Sequence, residues 1–119
     1  MDAELRHAQL KELLATKEAL GIICYNKHHN QKRVSCSRLS ELLKTPINKI
    51  KEISVRLEEL NVVKVIKLGT DQELEFIEDE NEDVKHTIDE AIWENKQEYG
   101  KIYKKLITAE LLDFMEGDK

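Results

Sequence analysis

The chain has 119 residues, 36% of them charged and 40% hydrophobic, with one proline, four glycines and a formal net charge of −5. That is the composition of one soluble globular domain, or one domain with an appendage, and it excludes a disordered chain. No run approaches the eighteen or so apolar residues of a membrane span, and "MDAELRHAQL" has neither the basic start nor the apolar centre of a signal peptide, so a cytoplasmic location is expected.

The charge is unevenly placed. Residues 1–60 carry a net +3, residues 61–83 a net −6 and residues 84–119 a net −2, and the window 26–56 alone holds 8 basic against 2 acidic side chains. Electrostatic steering depends on where charge sits, so the whole-chain value says little about partners.

Residues 3–28 read as helical, with Leu10, Leu13, Leu14, Leu20, Ile23 and Cys24 as the apolar stripe and room for a break near Ala15 and Thr16. The break would divide an N-terminal arm, 1–16, from a core helix. "NKHHNQKR" is polar and aperiodic and reads as a loop. Val34 then reads as a short buried strand, and either Ser35 or Ser37 can cap a helix carrying Leu39, Leu42 and Leu43. Thr45-Pro46 stops that helix, and Pro46 suits the first position of the next. Ile47, Ile50, Ile53, Leu57 and Leu60 recur at spacings of 3, 3, 4 and 3, which puts all five on one face of a helix over 46–60. Asn48, Glu52, Val55 and Glu59 fall opposite, flanked by Lys49, Lys51 and Arg56.

After Asn61, "VVKVIKL" and "ELEFI" are strand-like runs separated by "GTDQ", with Gly69 suited to a hairpin turn. The acidic run from Glu78 to Asp83 reads as a solvated linker, 79–83, before helical patterning resumes over 84–117. There Ile88, Ile92, Asn95, Tyr99, Ile102 and Leu106 alternate spacings of 4 and 3, a heptad seam with one polar member. Such a seam either pairs with a second copy or folds back on its own domain.

The order helix, short strand, short helix, tight turn, amphipathic helix, hairpin resembles a winged helix-turn-helix domain, with the match over residues 17–78. "VSCSRLSELLKTPINKIKEISVRLEELNVVKVI" is similar to the family pattern in which a small polar residue opens the second helix and "RLEELN" closes the recognition helix. Asn61 stands where the family usually has glycine. The expected class is therefore α+β and mostly helical, a winged helix-turn-helix with an N-terminal helix and a long C-terminal dimerisation helix like those of small bacterial, archaeal and viral regulators. The resemblance implies that Asn48, Lys49, Lys51, Glu52 and Val55 face the major groove of double-stranded DNA. It implies that Arg38, Lys44, Arg56 and the loop residues Lys32 and Arg33 meet phosphates. The departure is the wing tip, Thr70-Asp71-Gln72-Glu73, whose carboxylates repel phosphate. Either the wing stays off the DNA or the domain docks on a protein.

Catalysis is not expected, since the chain has no phosphate-cradling glycine loop and no nucleophile motif. Cys24, His28, His29 and Cys36 match no zinc spacing, Cys24 belongs to the apolar stripe and neighbouring histidines diverge on a helix, so no metal or other cofactor is expected.

Overall fold

A computed structural model describes residues 3–29 and 31–117. The elements are α1 (Ala3–Leu14), α2 (Lys17–His29), β1 (Arg33–Ser35), α3 (Cys36–Leu43), α4 (Ile47–Glu59), β2 (Val63–Leu68), β3 (Asp71–Phe76), a 3-10 turn (Glu78–Glu80), α5 (Glu82–Glu94) and α6 (Lys96–Gly117). The protein is α+β and mostly helical, with one antiparallel sheet in the order β1-β3-β2.

The break near Ala15 and Thr16 separates α1 from α2, and the arm packs on its own chain. Leu10, Leu13 and Leu14 are buried, Lys11 Nζ lies 3.0 Å from Glu90 and 2.8 Å from Glu94, and His7 Nδ1 lies 2.7 Å from Thr87 Oγ1. α2 runs through His29, so His28 and His29 leave the loop expected for them. Histidine and lysine in a last turn complement the negative end of the helix dipole, and the Tyr25 and His29 rings stack one turn apart at 4.3 Å. Where α2 meets α3, a Cβ added to Gly21 would come within 3.1 Å of Leu43, so glycine there sets the approach of the two helices.

Of the two candidate caps for α3, Ser35 is the one used. Its Oγ accepts from the Arg38 N–H at 3.0 Å, whereas Ser37 Oγ donates to Asp71 at 3.1 Å. Ser35→Ala is expected to cost about 1 kcal/mol in urea unfolding, the usual loss of a serine cap. A loss indistinguishable from zero would contradict the capping role. α3 ends at Lys44, whose φ of 54° is left-handed and whose N–H donates to Ser40 O. Pro46 stands just outside α4 rather than inside its first turn, and its carbonyl accepts from Lys49 and Ile50.

Ile50, Ile53, Leu57 and Leu60 turn into the core as the 3.6-residue period requires, with Ile47 packed at its edge. Asn61, at φ 63°, releases the chain into β2, and Val62 N–H donates back to Leu57 O at 2.9 Å. Leu68 pairs with Asp71, so Gly69 and Thr70 form a two-residue hairpin turn with glycine first, at φ 62°.

Two expectations for the C-terminal third are corrected. The acidic run is solvated but ordered, and one member is not solvated at all: Asp79, Glu80, Glu82 and Asp83 are exposed, Glu78 is 2% exposed, residues 78–80 make a 3-10 turn, and the Asn81 side chain caps α5. The C-terminal segment is two helices rather than one long one. The helix divides at Asn95, whose Nδ2 bonds to Ala91 O at 2.8 Å, as does its backbone N–H at 3.0 Å. Ile88 is buried where α5 packs on α1, and Ile102 and Leu106 are buried where α6 crosses α2 and α3. Ile92 and Tyr99 pack at the core's edge. The alternating spacing of 4 and 3 has folded back onto its own domain, with Ile88, Ile102 and Leu106 buried and Ile92, Asn95 and Tyr99 half-buried.

Candidate nucleic-acid interface

α4 presents a continuous outer face because its inner face is fully spent on the core. Asn48, Lys49, Glu52, Val55 and Arg56 are exposed on it and Lys51 is half-buried at its flank. Val55 is 50% exposed in the middle of this face, a β-branched apolar residue surrounded by polar ones. The helix has 13 residues, about 20 Å long, a length that fits a DNA major groove.

The basic residues named in the sequence divide into two groups. Lys49 lies 3.8 Å from Glu52 on the same face, and Lys32 and Arg33 lie 3.4 and 3.3 Å from Glu75 across the sheet. Arg38 is held by Asp113 of α6 and lies 3.7 Å from Glu41. Lys44, Lys51 and Arg56 make no ion pair among the described residues. The paired group is not lost to a polyanion. Solvent-exposed pairs are worth only about 0–1 kcal/mol, and Lys32 and Arg33 are 65% and 57% exposed, so phosphate can compete for them.

The wing carries less free negative charge than its composition suggests. Asp71 accepts from Ser37 Oγ and from the Gln72 N–H at 2.8 Å, and Glu75 faces Lys32 and Arg33. β2 is an edge strand, and Glu58 at the end of α4 reaches it, accepting from the Val65 N–H at 2.7 Å. That contact ties the wing to the helix beside it.

A cleft of about 970 Å³ runs between α6 and the turn joining α3 to α4. Leu43, Pro46, Ile102 and Ala109 line its floor, with lysines and glutamates mixed along its rim. Both cysteines are free, and burial raises the pKa of Cys24 and of Cys36, which disfavours the reactive thiolate.

In the turn after β3, Glu78 is buried beside Lys27 at 3.2 Å while its Oε2 has no hydrogen-bond partner among the described residues. Burial raises its pKa, and Lys27 only partly opposes the shift. A carboxyl whose folded pKa is raised contributes stability that is present at low pH and lost as pH rises through the folded value. Glu78→Gln should therefore gain stability relative to the parent protein between pH 4 and pH 7, measured by urea unfolding at both. Lys27, with 29% of its side chain exposed, can reach water in the variant. A relative stability that falls over the same interval would contradict the burial argument.

The expected seam residues contribute nothing to this surface, and Asn95 serves as a helix end rather than as a polar member of a helix pair. One association was missed. His28 and His29 of α2 meet Glu110 of α6, and no spacing rule links positions 81 and 82 residues apart.

Comparison of the sequence with protein-family models finds no match, and comparison with curated proteins finds no relative. Among the described residues no helix is long and apolar enough to cross a membrane.

Proposed function

We propose that residues 17–78 form a winged helix-turn-helix domain that binds double-stranded DNA through α4, and that the protein acts as a transcriptional regulator. The observation that carries the reading is the outer face of α4, where Lys51 and Arg56 flank Asn48, Glu52 and Val55 with no ion pair of their own among the described residues. Asparagine can bond an adenine edge, glutamate can accept from cytosine, and Val55 can pack on a thymine methyl group. The order α2, β1, α3, α4, β2, β3, with β1 paired to β3 across a gap of 35 residues of chain between Ser35 and Asp71, supports the fold assignment. A regulator of this size commonly acts as a dimer on a two-fold site. With the seam internal, self-association would fall to the distal end of α6, where Leu111, Leu112, Phe114 and Met115 are 55–72% exposed.

The test is duplex binding by a charge-reversed helix, Lys51→Glu/Arg56→Glu, beside a control reversed on α6, Lys104→Glu/Lys105→Glu. Loss with the first and retention with the second is the expected outcome. Equal affinity for all three proteins would remove α4 from the interface.

The acidic hairpin and the apolar end of α6 favour a second reading, a protein-docking module in a larger assembly. Stoichiometric co-purification of a protein partner with a chain that fails to bind DNA would select it.

A further inference from the structure

The last turn of α2 and the distal half of α6 meet through a group of side chains that the DNA reading does not use. His28 Nε2 lies 3.6 Å from one oxygen of Glu110, and His29 Nε2 is in contact with the other. The ligand atoms of all three residues lie within 4.8 Å of one another. We propose that His28, His29 and Glu110 form a binding site for a divalent transition-metal ion of the zinc class.

Two imidazole nitrogens and one carboxylate oxygen are a recurrent three-residue donor set for zinc, which leaves a fourth position to water. The donor atoms around one such ion lie about 3.3–4 Å apart, since each bond is about 2.0–2.2 Å long. The separations here are at most 4.8 Å, so an ion would draw the three side chains together. Neighbouring positions on a helix point about 100° apart, which would normally separate two histidines. Here Glu110 arrives from the facing helix between them, so both rings turn toward one carboxylate.

The surroundings favour the ion over a simple ion pair. Glu110 has no lysine or arginine partner among the described residues, so a bound dication supplies a fixed positive charge beside the carboxylate. Lys27, the nearest ammonium on α2, is drawn off to Glu78 at 3.2 Å. The rings have aromatic neighbours: Tyr25 lies against His29 at 4.3 Å with the planes tilted by 38°, and Tyr103 meets His28 edge-on at 5.1 Å. Tyr25 is itself fixed by a 3.0 Å hydrogen bond to Gln31. A surface cleft lined by Lys27, Tyr99, Gly100 and Tyr103 borders His28, one of the three ligands. The three side chains are 21–27% exposed, shielded yet reachable.

The test is titration of the full chain with Co2+, read by visible ligand-field absorption and followed by competition with Zn2+. One equivalent of Co2+ is expected, with Zn2+ displacing it and raising the melting temperature. Glu110→Gln and His28→Gln should each weaken binding by at least about tenfold, the scale on which lesser changes around metal sites already act. A His7→Gln/His86→Gln protein should bind as the parent does, because those histidines face Glu90, a carboxylate that Lys11 already pairs with. Should the Glu110 variant lose its circular-dichroism spectrum, proton NMR of the parent chain decides: Zn2+ must move the His28 and His29 imidazole resonances and leave those of His7 and His86 in place. Absence of a ligand-field band and of a zinc-dependent melting shift in the folded parent would overturn the proposal. So would Co2+ affinity unchanged in a folded Glu110→Gln protein.

Discussion

Leu106→Ala should destabilise the protein by about 2–5 kcal/mol, a large share of the roughly 5–15 kcal/mol that holds a domain of this size together. Leu106 is fully buried on α6, and truncation removes its transfer free energy and leaves a cavity among side chains that can only partly collapse. The diagnostic feature is concentration. Because Leu106 packs against its own chain, the loss should be the same at 1 and 100 times a starting protein concentration in thermal unfolding. A seam shared between two copies would instead make the melting temperature of the parent protein rise with concentration, and the variant would lose that rise. Concentration-dependent loss would contradict the folded-back arrangement of α5 and α6.

The second large effect concerns DNA. Lys51→Glu/Arg56→Glu should lower duplex affinity by well over tenfold and flatten the dependence of log K on log salt by about 2, one for each phosphate contact removed. Neither side chain is held by an ion pair among the described residues, so reversal deletes two available cations without exposing a buried partner. Val55→Ala on the same face should act differently, altering preference among sequences while leaving the salt slope in place, because an apolar side chain contacts base edges and not phosphates. Fluorescence anisotropy on several duplexes separates the two effects. A salt slope unchanged in the charge-reversed protein would mean that α4 does not lie along the backbone.

Local chemistry was legible where one stretch of chain determines it. The spacing of Ile50, Ile53, Leu57 and Leu60 fixed the buried face of α4, and the left-handed turn at Asn61 and the hairpin at Gly69 followed from residue type. What stayed hidden depends on partners distant in sequence. Lys32 and Arg33 read as free cations until the β1–β3 register set Arg33 opposite Glu75. The heptad spacing specifies an apolar stripe but not which surface receives it, and only the turn at Asn95 makes that surface the chain's own core. Glu78 looked like one more exposed acid because its burial beside Lys27 of α2 is a tertiary fact. At Lys44 the left-handed backbone falls on a residue with no preference for it, so only the geometry of the turn reveals it.

The same distinction applies to the candidate interface. Composition located the positive potential between residues 26 and 56, and the fold then sorted it, pairing Arg38 with Asp113 and leaving Lys44, Lys51 and Arg56 outside any ion pair among the described residues. The hairpin acids are partly occupied by Ser37, Lys32 and Arg33, which reduces their repulsion toward a polyanion laid along α4.

The most direct measurement of the central claim is the anisotropy of a labelled random-sequence duplex titrated with the full chain at salt concentrations from about 50 to 200 mM, the range over which phosphate contacts are strongly screened. The proposed interface predicts binding at low salt that weakens linearly in log salt, with a slope corresponding to several released counterions. No binding at the lowest salt, or binding indifferent to salt, would contradict it.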